Sequence, residues 1–482
     1  MTSISGQVGR LKQAAIDAAM RRGGYRADGD SYLSIQLPDY GVVTRPGEDG
    51  LGGGIAVRIP AEHPRARLNS SQIAEMKRSA TENFTAEFER IRTTIDTIVA
   101  PWEELPQGST IDSVAEKCDT LVSNLMGAIT ESGSAFSGSG ELGSVLSRVV
   151  MESTSFGGGA LDDFKMRYID DGVTRAARLT ALAEVLGQAI CAEAEVWRAA
   201  QDDRDSLLAQ YITEFDKVAQ GDGGSLELGF KIVGAALAGA ALFTTAGTGT
   251  AIAIAGAGII ADLGAEIAKE ESETSKNERR AFDDVDSGLN AFKQSFEALS
   301  SRIYEEESAL IAAVDATIDR VKDSADKFQL APAPIYKWED DVMYAEPEKN
   351  LSLARTFLPQ AAELTETASS EPSDIASDLT EALQHDYAAG NRSAGASYTV
   401  AAFARMTKTL LAEFAWDLDR GATNLEYALL DLMGTEESNT EQTQELAAEI
   451  ESGETHNGRE ADELLDPPKP PTFDYRLHEL MQ

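Results

Sequence analysis

Cysteine is nearly missing from this chain, with Cys118 and Cys191 alone among 482 residues. Both fall on apolar stripes of predicted helices, so neither a disulfide framework nor a cysteine-built zinc site can be assembled, and a single bridge stays open. Histidine is also scarce. His63, His385, His456 and His478 are scattered, and none has a second His or Cys at the spacing a helical metal site uses. No metal and no cofactor are expected. The GxxxxGK[ST], HExxH and GxSxG elements are absent, which leaves phosphate, zinc and nucleophile-elbow chemistry without their usual signatures and predicts a non-enzyme.

Basic charge is the next deficit: 42 Lys and Arg stand against 81 Asp and Glu, a net charge of −39. Such a field repels phosphate backbones, which excludes nucleic acid as the expected partner. Acidic pairs such as Asp162-Asp163 and Asp283-Asp284 read as solvated helix faces, not as paired general acids. The opening MTSISGQVGRLKQAAIDAAM lacks the basic-then-apolar pattern of a Sec signal peptide. A secreted or cell-surface location would need a route independent of a signal peptide; the alternative is cytoplasmic.

What the chain has in quantity is helical periodicity. Residues 5–22 form a short amphipathic pattern stopped by Gly23-Gly24. Ser31–Leu37, Tyr40–Thr44 and Ile55–Ile59 then carry β-branched and aromatic residues between turn signals, which predicts a small sheet. From Asn69 apolar residues step by three and four (Ile73, Met76, Phe84, Phe88, Ile91, Ile95) up to Pro101, a helix of about 30 residues. A second stripe, Ile111 through Leu125 to Ile129, runs to an SGSAFSGSGELGS turn, and a helix covers Glu141–Met151. Ala160–Ala219 is the longest helical pattern, with a break expected near Asp171-Gly172. Asn277–Phe328 is helical until the APAP of 331–334. A linker runs through Pro347, and helices are expected at about 351–366, 373–389 and 395–433.

The resulting expectation is a mainly α fold: an elongated helical bundle with a central Gly/Ala-rich apolar hairpin and a small N-terminal β patch. Its parts are 1–65 (helix plus β patch), 66–330 (long bundle, with the hairpin at 226–268), 331–350 (linker), 351–433 (C-terminal helical region) and 434–482 (acidic, proline-bearing mobile tail).

From Ile232 to Ala261 no residue is charged, a length beyond the roughly 20 residues that cross a bilayer as one helix. Gly247 and Gly249 among threonines interrupt it, so two short arms joined by a turn are expected. Ile232, Gly239 and Phe243 lie on the first side, and Ile254, Gly258 and Ile260 on the second. Small residues at four-residue spacing let such arms pack closely, in water or in lipid. The segment is read either as a buried hairpin of the bundle or as an element released into a membrane. Gly256-x-Gly258-x-x-Ala261 also mimics a dinucleotide fingerprint, but the downstream stretch KNERRAFDDVDSGLNAF enters a helical pattern rather than the strand that a βαβ unit requires.

At residues 156–168 the sequence reads Phe156-x-Gly158-x-Ala160-x-x-x-Phe164-x-x-x-Tyr168. This resembles the WxG turn of the WXG100 superfamily, helical hairpins exported by actinobacterial type VII (ESX) secretion, with Phe156 where the family has Trp. The family's export tag, Tyr-x-x-x-Asp/Glu past the second helix, fails at Tyr211, which is followed by Phe215. Matches occur at Tyr336/Asp340, Tyr344/Glu348, Tyr427/Asp431 and Tyr475/Glu479, and the last pair is the candidate export motif. The resemblance implies a non-enzymatic secreted or secretion-associated helical protein acting by contact with a protein partner, by self-association, or with a membrane through 232–261. A pore-forming component and a cytoplasmic scaffold are the alternatives. The turn also has an account without secretion, since glycines permit positive φ between helices while Phe156 and Phe164 pack.

Overall fold

The computed structural model describes residues 4–35, 42–46, 70–127, 129–132, 135–156, 159–242, 278–328 and 347–432. Helix α1 (Ile4–Arg22) buries Val8, Leu11, Ala15 and Ala18 and ends where Gly24 takes a φ of 83°. Three antiparallel strands come next: β1 (Tyr25–Asp28), β2 (Ser31–Ser34) and β3 (Val42–Thr44), with Tyr32 opposite both Ala27 and Val43. β2 and β3 fall within the expected strands Ser31–Leu37 and Tyr40–Thr44, of which residues 36, 37, 40 and 41 lie outside the described residues. β1 has no counterpart among the expected strands, because YRAD carries no alternating apolar pattern, and Ile55–Ile59 lies outside the described residues.

A buried carboxylate ties this sheet to α1. Asp17 Oδ1 accepts from Tyr32 Oη at 2.5 Å, from Gln13 Nε2 at 2.8 Å and from Arg45 Nε at 3.0 Å. Arg45 Nη2 donates to the other oxygen, completing a bidentate pair. Tyr32 is fully buried, and burial beside Asp17 pushes its hydroxyl well above the ordinary tyrosine range.

The helix expected from Asn69 is α2 (Ser70–Val99), closed by a single 3-10 turn at Ala100–Trp102 that accommodates Pro101. α3 (Gly108–Asn124) buries Ile111, Val114, Cys118 and Leu121, as its stripe requires. Ile129, the last residue of that stripe, is not helical. Gly127 turns the chain at φ 57°, and Ile129 opens β4 (Ile129–Ser132), which pairs antiparallel with β5 (Ala135–Gly138). A β hairpin therefore occupies the place of the expected open turn, and α4 (Glu141–Glu152) leaves it directly.

The long central pattern is α5 (Gly159–Phe164), a π turn at Lys165–Asp170, and α6 (Asp171–Gln220), 50 residues long. No break occurs at Asp171-Gly172. The π turn absorbs the misfit and the helix continues. Every residue from Leu179 to Ile190 is buried, as expected for a helix surrounded on all sides. Its neighbours include α1, α3 and two later helices.

β6 (Gly224–Leu228) and α7 (Ala235–Leu242) follow, then β7 (Glu278–Phe282) and α8 (Val285–Asp323). The helix expected from Asn277 therefore begins only at Val285. A capping box sets that start, with Ser287 N donating to Asp284 Oδ1 at 2.9 Å and Asp284 N to Ser287 Oγ at 3.3 Å. Phe282, on the expected helical stripe, instead lies on β7, its ring stacked on Tyr211 at 6.0 Å and tilted against Phe215 at 5.3 Å.

Pro347, expected to lie in a linker, opens α9 (Pro347–Ser352), where its missing N–H has no helical partner to lose. A π turn at Leu353–Phe357 leads into α10 (Leu358–Ala382). The helices expected at 351–366 and 373–389 are not separate: α10 runs on through the buried Pro372, and it ends at Ala382, so residues 383–389 are not helical. α11 (Ser397–Leu432) packs along α10 and against α6. The fold is mainly α with a small N-terminal β patch. Buried side chains from α1 through α11 form one continuous core centred on α6.

Candidate functional site at the root of the apolar segment

β6 and β7 pair antiparallel, with Leu228 opposite Glu278 and Gly224 opposite Phe282. Residues 229–277, which contain the whole uncharged run 232–261, are therefore bracketed by one strand pair, and the described beginning of the run, Ile232 and α7, packs against α6 and α8. That beginning is gripped by two carboxylates. Asp203 of α6 accepts the backbone N–H groups of Lys231 and Ile232, both at 2.9 Å. Glu306 of α8 accepts those of Gly234 at 2.8 Å and Ala236 at 3.2 Å. Gly234 makes the bend, at a φ of 79°.

These amides belong to the first turn of α7 and the bend before it, where a helix has donors with no internal partner and where its dipole favours negative charge. Ile232 and Ala236 are fully closed to water, and Asp203 and Glu306 are 3% and 6% exposed. Burial pushes the Asp203 carboxyl above its ordinary range, and the two amides pull it part of the way back. Lys231 Nζ pairs with Asp202 at 3.0 Å on the exposed rim.

Of the residues expected in the apolar hairpin, Ile232 is buried at this root and Gly239 lies within α7. Phe243, Gly247, Gly249, Ile254, Gly258 and Ile260 lie outside the described residues, as do Gly256 and Ala261 of the dinucleotide-like pattern. Among the described residues no helix is long and apolar enough to cross a membrane.

The WxG-like turn builds an aromatic ladder. Phe156 and Phe164 meet edge to face at 6.3 Å, and Phe164 stacks on Tyr168 at 4.9 Å. Tyr168 lies against α11, close enough that a Cβ at Gly421 would come within 2.6 Å of its ring. Burial pushes its hydroxyl up. Ala160 sits in the first turn of α5. Gly158 lies outside the described residues, and so do Tyr475 and Glu479. Tyr427 and Asp431 fall on α11.

Sequence reading misses a second carboxylate cluster. Glu193 of α6 and Glu307 of α8, both fully buried, come together beneath the 383–396 connection between α10 and α11. Glu193 Oε1 accepts from Trp197 Nε1 at 3.1 Å and from Ala396 N at 3.4 Å. Arg392 Nε is 4.0 Å from Glu307 Oε2. Burial pushes both carboxyls up, and the facing of one carboxyl by the other adds to it. A signal is present in the sequence: Glu193 follows Ile190 by three and precedes Trp197 by four, and Glu307 follows Ile303 by four. Each stands on the buried stripe of its helix.

A groove of about 1090 Å³ also runs between α2 and α8, walled by Thr93, Thr97, Lys293 and Glu297. Trp102 and Phe296 meet edge to face at 5.0 Å in its floor. Cys118 and Cys191 are free thiols. Among the described residues no three His, Cys, Asp or Glu side chains converge as a metal site. In comparisons with known proteins the chain matches no family model, no curated protein and no solved structure.

Proposed function

We propose that this chain is a non-enzymatic helical protein that acts by contact, with the uncharged segment 232–261 as its contact element. One observation carries the reading: β6 and β7 hold side by side the two ends of the stretch 229–277 that contains the segment, while Asp203 and Glu306 clamp the segment's first turn to the bundle. A segment so rooted can change its surroundings without the bundle having to unfold. Its composition supports lipid or a second apolar surface as the thing contacted. Charged residues at the centre of a membrane helix cost about 2.5–3.5 kcal/mol each on the insertion scale, and this run carries none.

The export reading belongs to the same proposal, supported by the resemblance at Phe156-x-Gly158: a secretion-associated protein reaching the cell surface or exterior without a signal peptide. Truncation at Thr440, which removes Tyr475 and Glu479, should then reduce secretion by a host with a type VII system.

The contact reading is tested by replacing residues 237–277 with a Gly/Ser link long enough to join Ala236 to Glu278. The shortened chain should keep its helical circular dichroism but lose flotation with zwitterionic lipid vesicles and any self-association of the full chain. Retention of all association by a folded, shortened chain would sink the proposal.

A further inference from the structure

Two carboxylates have no proton to donate, so Glu193 and Glu307 as anions would only repel one another. In that state Glu193 Oε2 and both Glu307 oxygens are left without partners in a space closed to water. One shared proton changes this. It supplies the missing donor, turns the contact into a hydrogen bond and leaves a single negative charge opposite Arg392. Arg392 is otherwise engaged with the Tyr304 ring at 4.6 Å and Ser308 Oγ at 2.9 Å. The other nearby titratable group, His385, stands edge-on to Trp197 at 4.3 Å with Nδ1 on Leu383 O at 2.6 Å.

The covering element is the 383–396 connection. At φ 51° Gly395 passes so close that a Cβ there would strike Glu193 Oε1 and lie 3.0 Å from Glu307 Oε1. Gly390, at φ 98°, crosses over Ile303 and Trp197. The seal is light: Ser300 Oγ donates to Ala388 O at 2.9 Å and accepts from Gly390 N at 3.0 Å, and His385 N bonds Ser393 O at 3.2 Å. Such a segment opens at a lower free-energy cost than the helices beside it.

We propose that the Glu193–Glu307 pair is a proton-held latch: while one proton is shared, the 383–396 connection is closed over Trp197, and its loss opens the connection and admits water. The direction is set by charge. Two anions facing one arginine in a dry site are relieved by hydration, and the connection is the part that can move to allow it. Mild acid closes the latch and rising pH opens it. This device does not depend on what the apolar segment contacts.

Hydrogen exchange of the full chain, corrected for intrinsic rates, tests it across roughly pH 6 to about pH 9. Above the pair's titration the protection of amides 388–397 should fall about tenfold per pH unit, the dependence of a one-proton step, while amides at the centre of α6 hold theirs. Glu307→Gln keeps a donor without a titration, so its 388–397 amides should stay protected throughout. An infrared band of a protonated carboxyl should be present in the wild type below the pair's titration, disappear above it, and be absent in the variant. Should Glu307→Gln fail to give a helical spectrum, Glu193→Gln is read by the same criteria. Flat wild-type protection overturns the latch, as does parallel loss in the folded variant, or a missing carboxyl band.

Discussion

Glu306 and Glu307 are consecutive residues of α8, yet they serve different partners. Glu306 accepts the amides of Gly234 and Ala236 at the root of the apolar segment, and Glu307 meets Glu193 under the connection between the last two helices. Glu306 meets only N–H donors, whereas Glu307 faces a second carboxyl that has no donor to offer unless a proton lies between them.

Removal of Asp203 should loosen the root before it loosens the bundle. Asp203→Ala leaves the amides of Lys231 and Ile232 without their acceptor, at a cost of about 1–3 kcal/mol for each buried donor stranded. Hydrogen exchange and limited proteolysis should report this at residues 230–242, with the helical spectrum unchanged. A variant as protected there as the wild type would show that the carboxylate does not hold the segment.

The chain should become more stable as pH falls through the folded-state values of its buried carboxyls, opposite to ordinary acid denaturation. Burial holds the carboxyls of Glu193, Glu307 and Asp203 above their usual range. A group raised in this way contributes stability that is complete below its unfolded value, near 4, and is lost as pH rises through its folded value. Each proton taken up on folding gives a slope of about 1.4 kcal/mol per pH unit. Asp284 works the other way: the Ser287 amide lowers it, so its contribution is present above the unfolded value and disappears on further acidification. Urea midpoints should therefore rise as pH is lowered from the alkaline side through those folded-state values and then decline. A steady fall over the first interval would contradict this account.

Neither cysteine should react readily in the folded chain. Cys118 is fully buried and its thiol is pushed up by burial. The half-buried Cys191 is pushed up to about 12, so very little thiolate is present near neutrality. Labelling with a disulfide reagent should be slow in buffer and release two equivalents in denaturant. Fast labelling of either in the native state would mean that α3 and α6 separate more easily than their packing indicates.

Asp17→Leu should detach the N-terminal sheet from α1, because it takes the acceptor from the buried Tyr32 hydroxyl proton and from the Arg45 guanidinium, leaving Tyr32 only the bond it accepts from Gln13. Removing one partner from a fully buried pair costs about 3–5 kcal/mol, and Arg45, about a third exposed, brings the expectation down to about 2–3 kcal/mol. Thermal unfolding measures it, and a loss below the error of the measurement would mean that the cluster contributes nothing net.

Periodicity alone places α1, α2, α3, α4 and α11 within a few residues, because each shows one apolar stripe to the core and that stripe is written in consecutive turns. It also marks the run 232–261 and the Phe156, Phe164 and Tyr168 ladder, since both are local in the chain. Elements that depend on distant partners are not legible. β7 reads as the start of a helix because what makes it a strand is β6, which lies far back in the chain beyond the whole uncharged run. Pro372 reads as a helix end because the packing that carries α10 past it comes from other elements. The same holds for the carboxylates. Glu193, Asp203, Glu306 and Glu307 look like four more acids among 81. Only the tertiary structure sets one pair against backbone amides and the other against itself, because burial and proximity, not residue type, decide whether a carboxyl keeps its proton.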